Sequence, residues 1–192
     1  VRSVKLFAKR PIEELNGCNV RMTAQSMTSV TLLKILLEER YGVRPEYLSG
    51  SYEASDEACL LIGDQALEEN ERHRFAFDYD LGSLWQEWHK LPFVFGAWII
   101  SKTALQPGLE KTLLDYMDAT KRSVEIFRKD SKKSLDKWLA KYPVALPRKV
   151  VDDYYTALDY RFTEERKESL NLFFSYAQKK GLVQECPNLE FL

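Results

Sequence analysis

Val20-Arg21-Met22-Thr23-Ala24-Gln25-Ser26-Met27-Thr28-Ser29 runs without interruption into Val30-Thr31-Leu32-Leu33-Lys34-Ile35-Leu36-Leu37. A short strand, Cys18 to Thr23, ends in small and hydroxyl-bearing residues, and an apolar helix begins among them. The helix is expected over Met27 to Arg40, with Val30, Leu33, Leu36 and Leu37 turned inward and Gly42 as its stop. Ser and Thr at a helix start accept hydrogen bonds from its free N–H groups. The same N–H groups and the helix dipole favour an anion just outside the end. Capping uses one hydroxyl or two, whereas Thr23, Ser26, Thr28 and Ser29 supply four. Two readings therefore stand side by side, a well-capped helix and a pocket for a carboxylate or phosphate.

Working outward, Ala58-Cys59-Leu60-Leu61-Ile62 is a continuous apolar run that ends in Gly63-Asp64. It reads as a strand buried on both faces of a parallel sheet. Gly63 and Asp64 then lie at the carboxyl end of a central strand, where open α/β sheets place ligand sites. Asp64 is the cap of a helix from Gln65 to Glu69, a site residue, or both. Further strands are expected at Val1 to Phe7, Glu46 to Leu48, Phe75 to Tyr79 and Val94 to Ile100. Pro11 opens a short turn, Ile12 to Leu15, and Asn16-Gly17 marks a bend. Asp80-Leu81-Gly82 starts a helix, Ser83 to Lys90, with Trp85 and Trp88 facing the core.

Beyond residue 100 the pattern is helical. Leu109 to Arg128 turns Leu113, Met117, Val124 and Phe127 to one side, and Ser131 to Tyr142 follows. Pro147 opens a helix reaching Leu158. Thr163-Glu164-Glu165-Arg166 reads as a capping signature for a last helix that Gly181 stops, with Leu170, Phe173, Phe174 and Ala177 inward. Strands alternating with helices, then helices alone, give the α/β class.

Composition narrows the function. Of 192 residues, 45% are hydrophobic and 30% charged, as in globular proteins, and 28 Lys and Arg against 29 Asp and Glu leave a net charge of −1. No basic excess asks for nucleic acid or an anionic membrane, and no run is long and apolar enough to span a bilayer. Cys18, Cys59 and Cys186 are an odd number without metal-type spacing, which fits a reducing compartment. His73 and His89 do not make a metal pair. A GxxxxGK[ST] phosphate loop, a G-x-S-x-G elbow and a Cys/His nucleophile pair are all absent. The chain opens on Val1 rather than Met, so a preceding segment is expected.

Several segments together resemble a known family. They are Ser3-Val4-Lys5-Leu6-Phe7-Ala8-Lys9, Thr23 to Ser29 with Leu32 to Leu37, Leu61-Ile62-Gly63-Asp64-Gln65-Ala66-Leu67, and Asp80-Leu81-Gly82-Ser83-Leu84-Trp85 to Leu91-Pro92-Phe93-Val94-Phe95. In this order they are similar to the chorismate dehydratases of the futalosine route to menaquinone, and Tyr160-Arg161-Phe162 to Leu182 is similar to the last helix of that family. The resemblance implies a two-lobed, type II periplasmic-binding-protein-like fold with substrate between the lobes. Residues 1–8 would be a crossover strand, 9–93 the second lobe, and 94–192 a return strand and helices packing on the first lobe. Most of that first lobe, and the proton-abstracting group, would lie in a segment before Ser3, so no general base is assigned here. The implied activity is a carbon–oxygen hydro-lyase turning chorismate into 3-[(1-carboxyvinyl)oxy]benzoate. The implied substrate contacts are Ser3, Gln25, Ser26, Met27, Thr28, Ser29 and Asp64. The implied location is cytoplasmic, with no cofactor, no metal, and a homodimer left open. The same fold also serves solute-binding proteins, effector domains of transcription regulators, and the sister enzyme acting on cyclic dehypoxanthine futalosine. The Asp-Leu-Gly…Trp and Leu-Pro-Phe-Val-Phe segments favour the dehydratase over that sister.

Overall fold

A computed structural model describes residues 2–102 and 108–190. Val1, the first residue of the expected opening strand, lies outside the described residues. The chain groups into two compact units, one of residues up to Phe95 together with Asp159 onward, the other of Gly96–Leu158.

The first unit is built on a sheet of β1 (Val4–Ala8), β2 (Asn19–Met22), β3 (Glu46–Ser49), β4 (Ala58–Ile62) and β5 (Phe77–Asp80) in the order β3-β2-β4-β1-β5. β2 runs parallel to β3 and β4, while β1 runs antiparallel to β4 and β5. The expected parallel environment of β4 is thus corrected to a mixed one, parallel on one side and antiparallel on the other. Its continuous apolar run arises because it is the central strand with both faces covered. α1 (Met27–Ile35), α2 (Asp64–Arg72), α3 (Leu81–His89) and α7 (Glu164–Lys179) belong to this unit.

The strand period of two divides the core. Val4, Leu6 and Ala8 of β1, with Val20, Met22 and Leu60, pack on Leu32, Leu33, Leu36 and Leu37, on Leu81, Leu84 and Trp85, and on Phe173. Phe7 and Cys59 point the other way, towards Ala66 of α2, with Tyr52, Leu61 and Phe75 around them. Each fully buried Leu contributes about 1.5–3 kcal/mol relative to exposure. Trp85 is fully buried, and its indole Nε1–H donates to the buried Ser169 Oγ at 2.9 Å, joining α3 to α7.

α1 widens at Leu36–Arg40 into a π-type turn, and the backbone of Gly42 (φ 66°) ends it. The last helix starts where expected, but the Thr163 side chain makes no capping bond; its carbonyl accepts Arg166 N–H and Lys167 N–H, both at 3.0 Å.

The second unit holds α4 (Leu109–Lys129), α5 (Ser131–Lys141) and α6 (Arg148–Ala157). Asp130 accepts Lys133 N–H at 3.0 Å to start α5, and Phe127, Trp138 and Tyr155 form an aromatic cluster. On α4, Leu113, Val124 and Phe127 are half-buried, while Met117 is exposed and not inward. The strand expected over Val94 to Ile100 does not form. Pro92 and Gly96 interrupt the run, and no described strand pairs with it, so the apolar pattern alone cannot make a ladder.

Candidate functional site

The topology sends the carboxyl ends of β2, β3, β4 and β5, and the amino end of β1, to one edge of the sheet. Thr23 to Ser29 leaves that edge after β2, and Gly63-Asp64 leaves it after β4. Gly63 N–H donates to the Ser3 carbonyl at 2.8 Å, carrying the β1–β4 ladder one step past Val4 and Ile62. On the other side of β1, β5 ends at Asp80 opposite Lys5, so α3 begins at this same edge. The fold therefore brings Ser3, Gln25 to Ser29 and Asp64 to one edge.

Ser26 is the cap of α1, with extended backbone (φ −149°, ψ 107°). Its Oγ accepts Ser29 N–H at 3.1 Å and shares a hydrogen with Ser29 Oγ at 2.8 Å. Gln25 N–H donates to Thr23 Oγ1 at 3.2 Å, and Val30 N–H to the Ser26 carbonyl at 3.2 Å. The N–H groups of Met27 and Thr28 find no acceptor among the described residues. Ser29 is buried, Thr28 half-buried, and the Met27 side chain 84% exposed. Two donors and the positive end of a dipole are thus left facing outward beside hydroxyls, the arrangement a carboxylate binds.

Ser3 is buried at the start of β1, on the same side of the strand as Lys5 and Phe7. Asp64 is exposed, and it does not cap α2: Gly63, in a positive-φ conformation (61°, −139°), holds the cap position and no side-chain capping bond is made. Of the two roles open to Asp64 on sequence grounds, the cap is removed. Asp80, by contrast, caps α3 by accepting Ser83 N–H at 2.8 Å.

One contact at this edge was not anticipated. A Cβ on Gly82 would meet Phe95 Cε2 at 3.0 Å and Cζ at 3.3 Å. The Asp80-Leu81-Gly82 and Phe93-Val94-Phe95 segments held the signal, but only the fold joins them.

Other reactive groups lie off this edge or are spent. Burial pushes the Cys59 thiol up to about 12, which leaves it no nucleophile at neutral pH. His89 stacks among Trp85, Trp88 and Tyr176 at 4.4, 4.0 and 5.6 Å, and burial, then the Arg40 charge, lowers its pKa. Among the described residues no group of His, Cys, Asp and Glu could hold a metal ion. Nor is any described helix long and apolar enough to cross a membrane.

The sequence model of the family described as menaquinone biosynthesis matches residues 1–179. The chain belongs to that family. Among curated proteins, this menaquinone biosynthesis family chain is similar to a chorismate dehydratase of Thermus thermophilus. The two are 35% identical over an alignment of 116 positions that covers 51% of this chain and 42% of the relative. The chain thus spans less than half the length of that relative.

Proposed function

We propose that the protein is a cytoplasmic hydro-lyase that dehydrates chorismate to 3-[(1-carboxyvinyl)oxy]benzoate, an early step towards menaquinone, within a two-lobed periplasmic-binding-protein-like fold. The observation that carries this is the amino end of α1, where the Met27 and Thr28 N–H groups, without an acceptor among the described residues, lie beside the Ser26–Ser29 hydroxyl pair. Membership of the menaquinone biosynthesis family and similarity to a protein named chorismate dehydratase support it.

The chemistry suits such a site. The base removes a ring proton made acidic by conjugation to the ring carboxylate, and the C–O bond to the ring hydroxyl breaks, releasing water. Negative charge builds on that carboxylate as the proton leaves. Donors already aimed at it stabilise the transition state, and loss of one lowers rate by about 10²–10³-fold in comparable oxyanion sites. In this reading Ser26, Thr28, Ser29 and the α1 amides hold the carboxylate, with Gln25 and Met27 beside them. Ser3 borders the same cleft, and Asp64, free of any cap, positions the departing hydroxyl. No residue here is assigned as the general base.

Thr28→Val tests the assignment. It removes a hydroxyl at nearly constant shape, so chorismate binding should be lost while the thermal unfolding midpoint stays put. Undiminished binding would remove Thr28 from the site. A protein that binds chorismate saturably without turnover would instead be a sensor or solute-binding member of the fold.

A further inference from the structure

We propose that Phe95 determines specificity in this reaction as the apolar wall on which the six-membered ring of the substrate rests, and that residue 82 is glycine so that Phe95 can sit there. The inference rests on the dehydratase reading above and extends it to a residue outside the carboxylate site.

Gly82 lies in the first turn of α3, where its backbone φ is not in the positive region. Conformational freedom therefore does not explain a glycine in a helix that Ala would favour. Close approach does: an added Cβ would stand 3.0 and 3.3 Å from two atoms of the Phe95 ring and 3.3 Å from Asp80 Oδ1, the oxygen that caps the helix. Phe95 is thereby seated on the amino end of α3, which starts at the sheet edge that gathers the proposed substrate contacts.

The ring is also held from behind. Phe95 meets Phe93 edge to face at 4.8 Å, and Phe93 in turn meets Trp85 at 5.3 Å and Phe173 at 5.2 Å, both buried. This aromatic stack is rooted in the core and ends at Phe95, which is only half-buried. A rigid, partly open aromatic face at a polar site suits a ligand with carboxylates and a flat hydrocarbon ring. In the proposed reaction a puckered diene becomes a planar arene as water leaves. A flat aromatic wall fits the planar form better, so the contact strengthens along the reaction and acts on kcat as well as KM.

The test is a kinetic double-mutant cycle on the full-length protein with chorismate, with product affinity measured by titrating 3-[(1-carboxyvinyl)oxy]benzoate. Phe95→Leu should lower kcat/KM and product affinity each by about 3- to 10-fold, the range for loss of an aromatic pair. Phe95→Tyr, which keeps the ring, should stay within about twofold. Gly82→Ala, which displaces the ring, should reduce kcat/KM in the wild-type background and do nothing further in Phe95→Leu. Unfolding midpoints recorded alongside separate this from a loss of fold, and Gly82→Ala alone carries the test if Phe95→Leu does not fold. A protein that turns over chorismate with unchanged kinetics in Phe95→Leu, or with additive effects in the cycle, overturns the role of Phe95 and leaves the dehydratase reading standing. A wild type that does not dehydrate chorismate overturns both.

Discussion

Replacing Ser26 with Asp separates a helix cap from an anion site. Ser26 Oγ accepts Ser29 N–H at 3.1 Å, and Asp is as good a cap as Ser while adding charge at the favourable end of the dipole. Stability should therefore change by less than about 0.5 kcal/mol, whereas Ser26→Ala should cost about 1 kcal/mol. Binding behaves differently. The new carboxylate occupies the place where the substrate carboxylate would meet the hydroxyl and the Met27 and Thr28 amides. Loss of one charge-assisted hydrogen bond costs about 1.5–3 kcal/mol, or about 10- to 150-fold in affinity. Repulsion between two carboxylates about 4 Å apart adds up to about 4 kcal/mol near a protein surface, less in salt. Saturation kinetics of Ser26→Asp with chorismate should show KM raised at least about tenfold, with the thermal midpoint kept. A wild-type KM in that variant would refute the anion site and leave Ser26 a cap alone.

Ser169→Ala strands the buried Trp85 indole N–H, which should cost about 1–3 kcal/mol and lower the thermal midpoint by about 2–12 °C. Adding Trp85→Phe removes the stranded donor, so the double variant should lose less than the two single losses together. Asp56 is fully buried and its pKa is lowered, first by hydrogen bonds from Arg21 (Nε to Oδ2 at 2.9 Å, Nη2 to Oδ1 at 3.0 Å), with the Glu53 N–H adding to the effect. A depressed folded-state pKa contributes stability above the unfolded value of about 3.9 that is lost as pH falls towards the folded one. Asp56→Asn should thus unfold at a lower temperature than wild type at neutral pH, with the gap closing below about pH 4. Parallel melting curves down to acid pH would show it, and a constant gap would contradict it.

Much of this was legible from local pattern. The hydroxyl-rich step into Val30-Thr31-Leu32-Leu33 marked the start of α1, and Ser26 three residues before Ser29 is the spacing of a capping bond. The apolar run of β4 was legible as central, but not the direction of its neighbours. β1 is far from β4 in sequence, and a buried strand reads the same whether its partner runs parallel or antiparallel. Local chemistry left Asp64 open between a cap and a site residue, and Gly63 took the cap position through a positive-φ backbone. Val94 to Ile100 had strand composition without a partner strand, and composition does not supply the missing hydrogen bonds. The seat of Phe95 on Gly82 depends on how residues 91–95 turn back over α3, which no spacing rule encodes.

The most direct test of the central claim is product analysis of full-length protein incubated with chorismate. The account predicts loss of chorismate absorbance matched one for one by a benzoate lighter by the mass of one water. Chorismate recovered intact, with protein shown to be folded, would contradict it.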